Sequence, residues 1–183
     1  MRSDASASSV ANDIVAVHFI DTPEGITVID ARLAGYWKEL IAELRSIGRS
    51  VSDVRGVILT HGDSDHLGFA ERLRRDHGLP IYVHSADAVR ARGELRPKQT
   101  WSKTKLGPVL RFLGYAARKG GLSTTYVAEV VEIANGDVLP LPGSPHIIGM
   151  PGHSPGSVAV HVASADATRA DRYYRAGCCS VHR

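Results

Sequence analysis

The stretch LTHGDSDHLG, residues 59–68, places two histidines and two aspartates within the six positions from His61 to His66. Imidazole nitrogens and carboxylate oxygens are good ligands for a borderline divalent cation such as zinc. The stretch begins within the apolar run VRGVILT, residues 54–60, which predicts a short buried parallel strand. Because open α/β sheets bind ligands at the carboxyl ends of their strands, the pattern predicts a metal site at that edge of the sheet.

A second fragment, MPGHSPGS at residues 150–157, presents another candidate metal ligand, His153. The proline and glycine residues around it predict a rigid turn after a strand, with the imidazole exposed. A lone histidine in such a turn is usually a surface residue. The separate cluster at residues 61–66 is what makes His153 a candidate ligand.

The rest of the chain predicts alternating strands and helices. Strands near Ile14–Ile20 and Ile26–Ile29 flank a turn that contains proline and glycine, which predicts a β-hairpin. Helical spacing follows at residues 35–48, and again after the metal-binding stretch up to Gly78. A strand at 80–84 and a helix capped by Ser85 come next, and short strands are expected at 126–133, 137–141, 146–150 and 157–163. This order predicts a layered fold with a largely parallel sheet.

THGDSDHLG and PGHSPGS together resemble the metal-binding motifs of the metallo-β-lactamase-fold hydrolases, in particular the glyoxalase II-like and lactonase-like members. Residues Thr27 to Asp30 also match the strand and aspartate that precede the first helix of that family. The agreement runs from about Ile14 to Val162. The resemblance implies an α+β fold, the four-layer αββα sandwich, of which this chain would hold mainly the N-terminal half and part of the second half.

The resemblance also implies a set of ligands and a chemistry. His61, Asp63 and His153 would hold one metal ion, and Asp65 and His66 would hold a second. The cofactor would be one or two zinc ions, and a metal-bound hydroxide would hydrolyse a small ester, thioester or lactone. Asp30 is expected to brace the metal loop rather than to bind metal.

Two residues depart from the family pattern near the expected site. The hydrolases usually carry histidine at position 63, and Asp63 resembles instead the acid found in flavodiiron relatives. Its hard, anionic oxygen makes iron or manganese possible in place of zinc. An alternative is that Asp63 only caps the following helix and touches no metal. Arg32, where the family usually has glycine, is expected to crowd the approach to the site or to change its charge.

The largest departure follows residue 167. The family continues there into an apolar strand that ends in a metal-bridging aspartate, whereas this chain has TRADRYYRAGCCSVHR. Asp171 and His182 are poor matches for the missing ligands. The expected organisation is a disordered lead at 1–13, a metallo-β-lactamase-like domain at 14–167 and a tail outside the family pattern at 168–183. A truncated, non-catalytic remnant that binds one metal or none is therefore the alternative to a hydrolase, and an iron-dependent oxidoreductase is disfavoured because no flavin domain is recognised.

Composition narrows the range of partners. The net charge of +3 over 183 residues is too diffuse to indicate nucleic-acid binding. No apolar run reaches the roughly 20 residues that a membrane span requires. Because the only two cysteines are the adjacent pair Cys178 and Cys179, a cytoplasmic location is expected. The expected partner is a small-molecule substrate, and an exposed apolar face makes a homodimer possible.

The basic segment at 94–125 has two interpretations. It is either a solvated face on an ordinary core helix, or a lid over the metal site with Trp101, Phe112 and Tyr115 shaping the pocket.

Overall fold

The computed structural model describes residues 6–11, 16–95, 124–163 and 172–175. The described residues form two sheets and a set of short helices. The larger sheet has six strands in the order β1-β2-β3-β4-β5-β6, and the smaller sheet has three in the order β7-β8-β9. The strands are β1 (Ser6–Ala11), β2 (Ala16–Thr22), β3 (Gly25–Ile29), β4 (Val54–Ile58), β5 (Ile81–His84), β6 (Val131–Ile133), β7 (His146–Gly149), β8 (Val158–Val162) and β9 (Arg172–Arg175). The helices are α1 (Trp37–Ser46), α2 (Ser64–Leu67), α3 (Ala70–His77) and α4 (Ser85–Ala91), with 3-10 turns at Ala34–Tyr36 and Val51–Asp53.

The larger sheet is antiparallel at one side and parallel in its centre. β1, β2 and β3 form an antiparallel meander, and β3 to β6 pair in parallel. The hairpin and the buried parallel strand predicted from the sequence are confirmed by this pairing. Each connection between parallel strands includes a helix, the usual form of such a crossover.

The central strands are buried on both faces, and their sequences are therefore nearly continuous apolar runs. On one face the sheet packs against the helices, with Val28 and Val57 in a core shared with Leu40, Leu44 and other helix residues. The opposite face packs against the smaller sheet. The second core contains residues of both sheets and of the segment between β6 and β7, namely Ile20, Ile29, Ile58, Ile133, Leu139, Leu141, Ile147, Val158, Val160 and Val162. The described residues therefore form three layers of an α+β sandwich, helices on sheet on sheet.

Several sequence expectations differ from the structure. The prediction of a disordered lead at 1–13 is wrong for residues 6–11. These residues form β1, and all six of them pair with β2. The strand expected at 126–133 is confined to β6, and residues 137–141 contribute one isolated bridge, Val138 to His146, rather than a strand. Within the tail, residues 172–175 form β9 and pair with β8, although this segment shows no strand periodicity.

The helices also differ in detail. The helix expected after the metal-binding stretch divides into α2 and α3, and α3 ends at Gly78, which has a left-handed φ of 67°. The N-cap of α4 is His84, whose Nδ1 accepts a hydrogen bond from the Ala86 N–H, so Ser85 is the first residue of the helix and not its cap. None of the helices in the described ranges is long and apolar enough to cross a bilayer.

Candidate metal centre

The metal-binding stretch lies where the sequence predicts, just past the carboxyl end of β4. His61 is 1% exposed, and the α2 helix that begins at Ser64 carries His66, which is 7% exposed. The loop and α2 are tied to the smaller sheet and to the segment that follows β3. The Val158 N–H of β8 donates to the Thr60 carbonyl oxygen, and the Ala31 N–H donates to the carbonyl oxygen of His66. The position of these imidazoles is therefore fixed by backbone pairing as well as by burial.

The five predicted ligand residues come together in two overlapping groups. Ligand atoms of His61, Asp65 and His66 lie within 4.8 Å of one another, and so do those of His61, Asp63 and His153. The Nε2 atom of His61 lies 3.6 Å from Asp63 Oδ2, and His66 Nε2 lies 3.8 Å from Asp65 Oδ2. His61 belongs to both groups and therefore stands at their centre.

His153 reaches this cluster from the other sheet. Its loop joins β7 to β8 and closes on itself through the Met150 N–H, which donates to the Ser157 carbonyl oxygen. The His153 Nε2 atom lies 3.1 Å from Asp63 Oδ2, and its ring centroid lies 4.8 Å from that of His61. The imidazole is more than half exposed, so it forms the open side of the centre.

Asp63 occupies the N-cap position of α2, but its side chain makes no capping hydrogen bond. One carboxylate oxygen, Oδ1, accepts from Arg90 Nη2 at 2.5 Å, and the other faces His61 and His153. Burial raises the pKa of Asp63, but the hydrogen bond from Arg90 and the charges of His61, Arg90 and His153 lower it by more. The pKa of Asp63 therefore lies below its ordinary value. The helix-cap interpretation is therefore wrong for this side chain, which is turned toward the cluster.

The tautomer of His61 follows from its neighbours. The Thr60 hydroxyl donates its hydrogen to the Asp30 carboxylate, so toward His61 Nδ1, 3.1 Å away, it can only accept. The proton on His61 therefore sits on Nδ1, and the lone pair on Nε2 points into the cluster. Burial and the charge of His66 lower the pKa of His61, which favours this neutral form.

Asp30 braces the site from behind, as expected, and is itself 5% exposed. It accepts hydrogen bonds from the Thr60 N–H and hydroxyl, and its Oδ2 lies 3.0 Å from His66 Nδ1. Burial raises the pKa of Asp30, but His66, His61 and the Thr60 N–H lower it by more in sum. Burial also lowers the pKa of His66, but Asp30 and then Asp65 and Asp63 outweigh burial and raise it to about 8. A metal ion at His66 Nε2 would have to displace a proton.

Asp87 is a supporting residue that carries no recognisable signal in the sequence. Its carboxylate is fully buried and accepts from the Gly62 N–H, the Ser154 hydroxyl and the Gly156 N–H, at 2.9, 2.6 and 3.0 Å. It thus joins α4 to both loops that carry the candidate ligands. No local pattern could have identified it, because an aspartate in the first turn of a helix is ordinarily a solvent-facing residue.

The expectation that Arg32 crowds the approach to the metal is wrong. Its side chain is 3% exposed and points into the helix layer, where the guanidinium carbon lies 3.8 Å from the centre of the Tyr36 ring. Asp30 and Arg32 both have positive φ angles, 65° and 46°, so the chain turns sharply between them. Trp101, Phe112, Tyr115, Asp171 and His182 lie outside the described residues.

The chemistry of the donor set suits a divalent cation. Nitrogen atoms from three histidines and oxygen atoms from two aspartates face one another, and the rings of His61 and His66 have centroids 4.0 Å apart. Burying two imidazoles against each other and two carboxylates is costly without a partner for their remaining polar atoms. The observed donors are those that zinc prefers, and an extra carboxylate also suits iron or manganese.

Comparison with known proteins gives the same family. Residues 11–168 match the family model that is described as "Metallo-beta-lactamase superfamily". A Bacillus subtilis protein named "Probable metallo-hydrolase YflN" is 26% identical over 159 residues, which cover 80% of this chain and 56% of that protein. An uncharacterised Mycobacterium bovis protein, Mb2612c, is 35% identical over 111 residues, and this match covers 60% of this chain and 44% of Mb2612c. The chain spans about half the length of these relatives.

Solved structures share the fold. The Rm3 metallo-beta-lactamase superposes with a TM-score of 0.73 at 20% identity, and the superposition covers 96% of this chain and 60% of the Rm3 chain. A B3 metallo-beta-lactamase described as having an active-site glutamic acid gives 0.70 at 20% identity, with coverage of 93% and 58%. The match over residues 11–168, together with the sandwich and the clustered motifs, shows that this chain belongs to the metallo-beta-lactamase superfamily.

Proposed function

We propose that this chain is a metal-dependent hydrolase of a small ester, thioester or lactone. The observation that carries the proposal is the convergence of five side chains from two separate segments, residues 61–66 and the His153 loop, with the ligand atoms of each group within 4.8 Å of one another. Catalytic zinc sites typically use three protein ligands and leave one position for water or substrate. His61, Asp63 and His153 supply such a set, and the exposed side of His153 leaves it accessible.

Each residue would have a defined task. His61, Asp63 and His153 would bind the first ion, and Asp65 and His66 would bind a second. Asp30 and Thr60 would hold the two buried imidazoles so that their Nε2 atoms face the ions. A divalent cation bound there supplies Lewis-acid activation of water at neutral pH. Orientation of the ligands by buried partners commonly changes metal affinity by about 10–100-fold.

Zinc is the proposed metal, in one or two ions, with iron or manganese as competitors. The support for zinc is the three imidazoles of the cluster, since imidazole suits zinc well. The support for the competitors is Asp63, because carboxylate ligands favour harder ions.

The experiment is metal analysis of the purified protein, followed by assays with an aryl ester, a thioester and a lactone. Replacing His61 and His66 together by alanine should abolish metal uptake and turnover. The matched control replaces His77 and His146, two histidines outside the cluster, and should leave both unchanged. Unchanged metal content in the first variant would contradict the proposal.

The same experiment tests the alternative, a non-catalytic protein that binds one metal or none. The support for this alternative is the residue pattern after position 167, where TRADRYYRAGCCSVHR stands in place of the apolar strand that the family resemblance implies. The family match ends at residue 168, and we propose that residues 168–183 lie outside the family pattern. Metal content near zero or one, with no turnover on any substrate, would favour the alternative. Turnover at about 1 s⁻¹ or faster, an ordinary enzyme rate, would exclude it.

A further inference from the structure

The two carboxylate oxygens of Asp63 have different partners. Oδ1 accepts a hydrogen bond from Arg90 Nη2 at 2.5 Å. Oδ2 lies 3.1 Å from His153 Nε2 and 3.6 Å from His61 Nε2. One oxygen is thus held by a cation on α4, and the other is turned toward the candidate ligands.

Arg90 is built into this position rather than reaching it by chance. Its side chain is 17% exposed, so it lies mostly under the metal loop. A Cβ atom placed on Gly62 would lie 2.9 Å from Arg90 Cβ, which shows how closely the loop packs on α4. Among the described residues, Asp63 is the only carboxylate with which Arg90 pairs, and the buried Arg90 Nε has no hydrogen-bond partner.

This arrangement has two consequences for a metal ligand. A carboxylate whose Oδ1 is occupied by a guanidinium offers an ion one oxygen instead of two. The adjacent positive charge also offsets the negative charge that Asp63 brings to the site, and a charge-assisted hydrogen bond of this kind is strong and directional. Both effects make the ligand less like the hard, bidentate carboxylates that manganese and iron accept readily.

We propose that Arg90 is a positioning residue that restricts Asp63 to one ligand oxygen and offsets its charge, and that it thereby keeps the site selective for zinc over harder divalent cations. This inference rests on the metal site of the proposed function, but not on hydrolysis. Arg90 itself is not a metal ligand and acts only through Asp63.

The test compares Arg90→Gln with the unchanged protein after growth in medium that contains both zinc and manganese. The manganese-to-zinc ratio of the purified variant should rise by about tenfold, the lower end of the effects seen for residues that orient ligands. Arg90→Lys should keep most of the zinc preference, because it retains the charge. Arg92→Gln is the matched control. It also removes a cation at the C-terminal end of α4, but Arg92 pairs with Glu94 and Glu132 and not with Asp63.

Cobalt(II) substitution gives a second readout that a merely structural role would not change. Four-coordinate cobalt absorbs visible light more strongly than five- or six-coordinate cobalt, so a second oxygen from Asp63 should weaken the bands in Arg90→Gln. Thermal unfolding of each variant checks that it is folded. If Arg90→Gln is folded and keeps the metal ratio and cobalt spectrum of the unchanged protein, the proposed role of Arg90 is overturned, but the proposed metal site is not. Absence of metal from the unchanged protein overturns this inference together with the proposed site.

Discussion

The hydroxyl of Ser154 donates a 2.6 Å hydrogen bond to the carboxylate of Asp87, a residue 67 positions earlier in the chain. The same carboxylate accepts from the Gly62 N–H of the other metal loop. The two loops reach the site from different sheets, and Asp87 connects both of them to α4. Their relative position, and with it the distance between His61 and His153, therefore depends on this buried side chain as well as on the hydrogen bond from the Val158 N–H to the Thr60 carbonyl oxygen.

Asp87→Ala should lower both stability and metal affinity. The change leaves the Gly62 N–H, the Gly156 N–H and the Ser154 hydroxyl without their acceptor. Loss of a buried charged acceptor of this kind should reduce the free energy of unfolding by about 3 kcal/mol. Urea unfolding would measure the loss, and a chelator titration would measure metal affinity. Asp76→Ala is the control, because Asp76 is partly exposed on α3 and should change neither.

Two glycines of the His153 loop should respond differently to the same substitution. A Cβ atom on Gly156 would lie 2.7 Å from both Cβ and Cγ of Asp87, whereas one on Gly152 would have nothing within 4 Å. Gly156→Ala should therefore displace the loop, reduce the free energy of unfolding by about 1–3 kcal/mol and weaken metal binding. Gly152→Ala should leave both unchanged. Equal effects of the two substitutions would mean that the contact with Asp87 does not position the loop.

The sequence was informative where the relevant residues are close together in the chain. His61, Asp63, Asp65 and His66 lie within six consecutive positions, on the loop after β4 and in α2, and the apolar run before them predicts the strand that leads into that loop. Their density and spacing were enough to predict both the sheet edge and the cluster. His153 could be added because its turn is rigid and its fragment resembles a second family motif.

The supporting residues could not be predicted because their partners are distant in sequence. Arg90 and Asp87 stand on α4, and the groups they bind lie 25 to 69 positions away. In sequence they resemble ordinary charged residues of an exposed helix. The expectation for Arg32 fails for a related reason. The positive φ angles at Asp30 and Arg32 turn the Arg32 side chain into the helix layer, and no local pattern predicts that turn.

Asp63→His should raise the zinc-to-iron ratio of protein grown with both metals. The substitution replaces an anionic oxygen, now turned toward His61 and His153, with a softer imidazole nitrogen. It also leaves Arg90 without its carboxylate, so the folded fraction has to be checked by thermal unfolding. Asp65→Asn, which removes a charge from the other ligand group, should change the ratio less. An unaltered ratio in a folded Asp63→His protein would mean that Asp63 does not bind the metal.

The two ligand groups should bind metal with different affinities. His61, Asp63 and His153 form a set of three, which is enough for a four-coordinate ion with one water. Once His61 is used there, Asp65 and His66 are the only members of the second group that remain among the described residues. The Asp65 side chain is also about half exposed, so its position is less restricted. Zinc titration against a competing chelator should therefore show one tight site and a second about 100-fold weaker or more. His61→Ala should remove the tight class, because it leaves each group with only two members, whereas Asp65→Ala should leave the tight class and remove the weak one. Two equally tight ions would show that ligands from outside the described residues complete the second site.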